Sequence, residues 1–450
     1  MNKPHSPTNK SDPNTAIKTP NDAVNNQRLS MLRELGPLLL VASCLVVLPF
    51  GRVVEIPVLL MAAIGLVLLV RNPKQCFANA RVRLFTAIFL LAWLPTLASW
   101  PDAISPESTQ RIVLNHLRFF FAGIFVIYAL RGQRQHTVFL RLCATVLIVW
   151  IIDACIQWAI GTNMLGFELL VGRVNGFFGD RGLLLGISLM VFAGIVTEFV
   201  RRHAPVPLAA IVTLALMTIV FISGSRASWI GLGVIITAYG GFAWYRLGRF
   251  PTGIACIGVG VCAALIATLY FSSTSFAAHM HKTYDALTGT RAPVQNSVSH
   301  RFWIWDVAGK TYAANPVNGV GARGFRHAYD TYTSQDDPYL AITPPQRPTH
   351  THQLWLEVLA ETGTIGGLCL LALYALAIVT FVRADHESKQ RMAPFGLCLL
   401  TAYFPLNTHL ALYSAFWSQI LWWLWAAFCA AAPLSARPWT PSREVQATTP

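Results

Sequence analysis

Charge is what this sequence has least of. Charged residues fill 12% of its 450 positions, against roughly 25% in ordinary soluble proteins. Acids are the scarcer sign, with 20 Asp and Glu against 34 Lys and Arg. Cysteine chemistry is also missing. Of the nine cysteines, eight lie in apolar runs and Cys76 sits in a basic connection, with no CxxC and no Cys/His metal spacing. Buried cysteine here is a small apolar filler. No internal repeat is visible, so the inverted-repeat signature of many transporters is lacking. The short basic start and immediate apolar core of a secretory signal are lacking too, since the first apolar run begins near Gly36. Together these absences exclude a soluble multidomain enzyme, a disordered chain and a disulfide-rich secreted module.

Apolar length is what the chain does have. Hydrophobic residues make up 54% of it, and a membrane-crossing helix needs roughly 20 of them. Apolar runs fall at about 36–51, 53–70, 84–100, 113–130, 142–160, 183–200, 206–223, 227–245, 252–272, 353–382, 393–411 and 413–434. The ten-residue alternation of a β-barrel strand is not their pattern. The expectation is an all-α polytopic membrane protein with about twelve transmembrane helices. Residues 1–35, rich in Asn, Pro, Thr and Ser, read as a disordered cytoplasmic tail. Residues 36–272 hold spans one to nine. A long, partly helical periplasmic loop covers 273–352, spans ten to twelve cover 353–434, and a second cytoplasmic tail covers 435–450. The first turns of the tenth span carry Gln353, Glu357 and Glu361 at i, i+4 and i+8. They are expected to stand above the bilayer as an amphipathic extension.

Lys and Arg orient the chain. With the N-terminal tail inside, every inside connection is basic, and 21 of the 34 cations lie on that side. Both termini are therefore expected in the cytoplasm. The high pI needs no nucleic-acid partner. The other 13 cations are where orientation alone would not put them. Seven of these are in the long loop: Lys282, Arg291, Arg301, Lys310, Arg323, Arg326 and Arg347.

Several residues could carry chemistry. Arg226 sits in Ser223-Gly-Ser-Arg-Ala-Ser-Trp229, a Gly/Ser turn on the outer side. It is either a turn arginine among lipid head groups or a guanidinium fork open to phosphate. Arg301 opens His-Arg-Phe-Trp-Ile-Trp, which fits a snorkelling interfacial helix as well as a site. The run Asn315-Pro-Val-Asn-Gly-Val-Gly-Ala-Arg-Gly-Phe325 contains a GxGxxG, but no Rossmann strand precedes it, so no dinucleotide site is implied. Its glycines permit turns and close approach. His350 and His352 precede a long helix. No third ligand has a telling spacing, so no metal is called for, and a histidine there is a candidate general base. Inside the spans, Arg111, Asn115 and Arg118 share one face, and Asp153 and Gln157 share another, where a structural Asp153–Arg pair competes with function. Arg173 and Arg181 lie in an outer connection. Trp417, Trp422, Trp423 and Trp425 read as an aromatic belt and packing face.

In order and region, SGSRASW, NPVNGVGARGF and HTHQLWLEVLAETGTIGG resemble the motifs of the bacterial O-antigen ligase/O-antigen polymerase superfamily. The strongest likeness covers roughly residues 170–370. Gln353 departs from the usual Asn but keeps an amide. FFGDRGLLLG, from Phe177, lacks the Pro-Asn that tends to precede the Leu-Gly. The resemblance implies a C-type glycosyltransferase fold with no required metal or cofactor. It implies a donor glycan on undecaprenyl pyrophosphate at the periplasmic face of the Gram-negative inner membrane. Family members differ in acceptor: lipid A–core for ligases, another repeat unit for polymerases, and Ser or Thr for protein O-oligosaccharyltransferases. The ligase is favoured on chain length and a single compact outer loop. The carried-over roles are Arg226 and Arg301 on pyrophosphate and His352 as base. Arg173, Arg181, Arg111, Arg118, Arg323 and His350 are the substrate-binding candidates. A lipid or solute transporter or flippase is the alternative from another class; it explains the spans and Asp153, but places its site near the midplane. An assembly factor recruiting envelope enzymes is a third reading.

Overall fold

A computed structural model of the chain describes residues 20–181, 183–248, 252–288, 301–341, 347–407 and 410–433. The helices are α1 Pro20–Val47, α2 Glu55–Arg71, α3 Pro73–Ala78, α4 Ala80–Ala98, α5 Pro106–Ala129, α6 Gln133–Ile160, α7 Leu184–His203 and α8 Val206–Ile222. They continue as α9 Arg226–Leu247, α10 Thr252–Ser272, α11 Thr274–Thr288, α12 Arg301–Ala314, α13 Phe325–Tyr332, α14 Leu354–Arg383, α15 His386–Ala402 and α16 Ala415–Ala431. Two isolated β-bridges, Thr162–Glu168 and Leu170–Arg173, are the only β pairing among the described residues.

Among the described residues, seven helical stretches are long and apolar enough to cross a bilayer, or eight if the bent pair α10–α11 counts as one crossing. α8 and α16 are apolar but shorter. One of the seven, Glu34–Arg71, is interrupted at Gly51 (φ 69°, ψ −113°). The polar N-terminal segment is shorter than expected, because α1 begins at Pro20 rather than near Gly36. Residues 1–19, the second tail at 435–450, and Lys3, Lys10, Lys18, Arg249, Arg291, Arg437 and Arg443 lie outside the described residues.

Burial explains the packing order. α7 is enclosed along most of its length, contributing Leu185, Leu189, Met190, Phe192, Ala193 and Val196 to the core. α16 is its counterpart. Its tryptophans are buried packing groups rather than a belt: Trp422 meets Phe85 and Phe89, Trp423 Nε1 donates to Val41 O (2.9 Å), and Trp425 Nε1 donates to Tyr403 Oη (3.0 Å). A buried indole N–H needs such a partner.

The bundle has two unlike ends. At one, helix termini bind directly to one another: Arg81 Nε to Ala432 O (2.7 Å), Gln133 Nε2 to Glu387 (2.6 Å) and Arg202 Nη2 to Gln390 O (2.7 Å). At the other, long connections form a cap, joined by Ile104 N to Val320 O (3.0 Å), Gln353 Nε2 to Pro405 O (2.8 Å) and Leu412 N to Glu357 (2.9 Å).

α14 organises the cap. Gln353 is its N-cap, its side chain accepting from Leu356 N (2.5 Å), so the amide at this position has a clear capping task. Gly363 (φ 63°, ψ −162°) then breaks the helix. The glycine-rich loop docks into the break through Val320 N to Ala360 O (3.0 Å), Gly321 N to Glu361 O (3.0 Å) and Thr364 N to Pro316 O (2.8 Å). A Cβ on Gly319 or Gly363 would strike backbone across this junction. The GxGxxG is thus a docking device.

The expected amphipathic extension is corrected here. Glu357 and Glu361 are 2% and 1% exposed. Glu361 accepts from the backbone N–H groups of Arg323 (2.6 Å) and Phe325 (3.4 Å), and Glu357 from that of Leu412. Asp153 is likewise held by amides, not by an arginine: it accepts from Met164 N (2.9 Å) and Asn163 Nδ2 (3.2 Å). Gln157 accepts from Asn175 N (2.9 Å) and Gly176 N (2.8 Å). The polar end of α6 is a clasp on the connection that carries Arg173.

Candidate active site

The turn between α8 and α9 is built to bring cations together. Ser223 N closes α8 on Ile219 O (2.9 Å), Gly224 turns with φ 75°, Ser225 occupies the N-cap position, and Arg226 is the first residue of α9. The left-handed turn suits glycine. Space demands it as well: a Cβ on Gly224 would lie 3.0 Å from Arg173 Nε and 3.3 Å from His279 Nε2. Arg173 therefore lies across the turn. It donates to His279 Nε2, while His279 Nδ1–H donates to Ser275 O (2.8 Å). That second bond fixes the tautomer in which Nε2 accepts.

The charge of Arg226 also reaches Arg301 at the start of α12. Burial pushes the Arg301 guanidinium down from its usual pKa, the charge of Arg226 pushes it further, and Tyr339 opposes them. Arg173 is pushed down by burial and then by the charge of Arg226. Guanidinium groups stay protonated under such pressure. What the shifts record is crowding of like charge in a partly desolvated place, where Coulomb terms are stronger than in water. Such an arrangement is chemically suited to an anion with several oxygens.

His352 lies in the same cap. Trp305, one turn into α12 from Arg301, donates its Nε1–H to Thr351 O (3.1 Å) and ties the helix to the histidine segment. Thr351 is buried, and its hydroxyl donates to Gln353 O (2.7 Å). His352 between them has φ 53°. Its ring lies 3.9 Å from that of His350, centroid to centroid. A non-glycine residue held at positive φ costs of order 1–3 kcal/mol, and such residues cluster at functional sites. Among the described residues only Val171, Arg323 and His352 are held so, and two of these three were site candidates on sequence.

The other candidates fall elsewhere. A cavity of about 460 Å³ between α5 and α13 is lined by Arg111, Arg118, Arg323, Arg326 and His327, among others. Arg118 is clamped by Glu55 (2.8 and 3.4 Å), and exposed Arg111 is 3.9 Å from Glu107. A smaller cavity of about 140 Å³ adjoins it, sharing Arg323, Arg326 and Tyr413 and adding His350, Glu357 and Glu361. Arg181 does not join either group. Its guanidinium is packed on Gly51, where a Cβ would collide with it.

His279, Arg326, His327 and the buried Glu357–Glu361 pair were missed as site neighbours. The i, i+3 spacing of Arg323 and Arg326 was a usable signal; the rest depends on chain crossings. Burial and the Arg323 charge push Arg326 down, with Glu361 and Glu357 opposing. His327 is pushed down by burial, then by Arg326 and Arg323.

Residues 208–371 match a family model described as O-antigen ligase. The matched stretch runs from the third residue of α8 into α14, and includes Arg226, Arg301, Arg323 and His352. A search of curated proteins found no match.

Proposed function

Membership of the O-antigen ligase/polymerase superfamily, which the match over residues 208–371 supports, is the premise from which we propose an O-antigen ligase. It transfers a glycan from undecaprenyl pyrophosphate to the lipid A–core at the periplasmic face of the inner membrane. Twelve crossings with both termini cytoplasmic fit the positive-inside pattern. Glu34–Arg71 counts as two of them. Its 38 residues break at Gly51, and unbroken they would far exceed a hydrocarbon core of about 30 Å.

The observation that carries the reading is Arg173 lying across the Gly224 turn that opens on Arg226, in the cap where Trp305 of α12 ties the Arg301 helix to the segment of the strained His352. Arg226 and Arg301 hold the donor pyrophosphate, and Arg173 assists. The acceptor hydroxyl oxygen bonds to the anomeric carbon as the bond from that carbon to pyrophosphate breaks. The hydroxyl proton goes to His352, the electron pair leaves with the pyrophosphate, and the carbon inverts. Fixed guanidinium groups aimed at the departing oxygen stabilise the charge that grows there. Arg181, packed on the α1–α2 turn, would act at most from the rim.

The test is a deletion strain complemented with wild type or with Arg226→Ala, Arg301→Ala or His352→Ala, at matched folded yield. The reading requires lipid A–core without O-antigen bands, and accumulated lipid-linked glycan. Core bearing a single repeat unit would make the protein a polymerase. Unchanged lipopolysaccharide would point to a protein acceptor.

A further inference from the structure

We infer that the cavity between α5 and α13 is a second anion site, which receives an acid-bearing sugar of the acceptor and is separate from the pyrophosphate group. This rests on the transferase reading above. None of the residues lining the cavity is Arg173, Arg226, Arg301 or His352. The lining holds four arginines and no carboxylate: Arg111 and Arg118 on α5, Arg323 on the glycine-rich loop, and Arg326 on α13. At about 460 Å³ it falls within the roughly 300–1,000 Å³ of small-molecule sites. Ser108, Asn115 and His327 add hydroxyl, amide and imidazole groups, which suit a polyhydroxylated ligand. Phe119 and Tyr413 add ring surface.

The arginines are held in place rather than merely nearby. Glu361 binds the backbone N–H of Arg323 at 2.6 Å and so secures its left-handed conformation, φ 61°. No hydrogen bond from the Arg323 guanidinium to a described residue competes with a ligand. Arg326 is fixed by Nη2 donating to Thr349 O (2.7 Å), beside His350. Glu55 anchors Arg118. The buried glutamate thus acts through the backbone, placing a cation without entering the lining of the larger cavity.

Direction favours the acceptor over the donor. The smaller cavity shares Arg323 and Arg326 with the larger one and reaches His350, two residues from the proposed base. An acceptor anchored by phosphate or carboxylate on Arg323 and Arg326 would extend its hydroxyl along the His350–His352 segment, through cavities that Arg173, Arg226 and Arg301 do not line. The same oxyanion chemistry could come from an anionic phospholipid headgroup.

The experiment uses the full chain in phosphatidylcholine nanodiscs, with lipid A–core as acceptor and lipid-linked glycan as donor. Arg323→Gln and Arg326→Gln are each expected to raise the acceptor KM about tenfold, the scale of one lost charge-assisted contact. The donor KM stays within about twofold, and Arg326→Lys recovers part of the loss. Dephosphorylated acceptor should lose the same factor on wild type and little more on the variants, as coupled groups do. An unchanged acceptor KM in folded variants overturns the assignment, as does an equal rise in donor KM. If phosphatidylglycerol nanodiscs abolish the difference between wild type and variants while acceptor phosphates make none, a lipid headgroup is the ligand and the assignment also fails. Acceptor binding measured without donor keeps the two readings apart. A wild type that transfers nothing but binds lipid A–core through Arg323 refutes the transferase and leaves the cavity assigned.

Discussion

The arginines at the two ends of the bundle are alike in chemistry and opposite in circumstance. At the end opposite the cap, Arg201 and Arg202 both bind buried Glu198, Arg134 meets Glu34 at 3.1 Å, and Arg81 donates to the carbonyls of Ala432 (2.7 Å) and Arg131 (3.2 Å). Tyr239 adds a hydrogen bond to Glu198 (2.9 Å). Those cations are neutralised or tied to helix ends by the protein itself. At the cap, Arg226 acts on Arg173 and on Arg301, and like charge meets like. The first group completes the fold. The second sets like charges beside one another in a partly desolvated place, an arrangement chemically suited to an anion.

The comparison breaks most readily at its chemical centre. His352→Ala is expected to lower transfer by about 10² to 10⁴, the range of a positioned general base. Glycan transfer in nanodiscs measures it, and near-normal turnover would remove the base assignment. Arg226→Ala and Arg301→Ala should each lose about 10² to 10³. The matching lysine variants should keep the charge and lose the fork, landing between alanine and wild type. The same rate assay reads all four.

Changes at the opposite end should move stability and not rate. Glu198→Ala leaves Arg201 and Arg202 without their shared partner and is expected to cost about 1–3 kcal/mol. A lower unfolding midpoint with unchanged turnover per folded molecule sharpens the contrast, whereas a large fall in turnover would erase it. Gly224→Ala sits between the two classes. Forcing a side chain into the left-handed turn costs about 1–2 kcal/mol, and the new methyl meets Arg173, so both midpoint and rate should fall. The smallest effect is expected for exposed Arg134→Ala, at most about 1 kcal/mol, as for other surface ion pairs.

Much of this was legible beforehand, for reasons that differ by feature. A run such as 183–200 declares itself because an apolar stretch of that length is nearly always a buried or membrane helix, and α7 occupies it. The Gly/Ser turn before Arg226 was readable because few residues adopt its geometry. The acids were not readable. Glu357 and Glu361 look like the wet face of an amphipathic helix, and burying them requires backbone N–H groups from Leu412, Arg323 and Phe325, which chain order does not announce. Asp153 invited an arginine partner by the same local logic and found Met164 and Asn163 instead. The α1 start was misplaced because polar composition lowers apolar content without forbidding a helix.

By itself, then, the sequence determined the material of the molecule: a helical, bilayer-scaled chain whose surplus cations are too many for orientation alone. It also named candidate residues for the site, since residue type and spacing are local properties. Which of them would meet was a tertiary decision. Arg226 and Arg301 share a field, Arg323 and Arg326 face α5 across a cavity, and Arg181 is left against Gly51. Electrostatic interaction falls with distance and strengthens with desolvation, and only the packed structure sets either one.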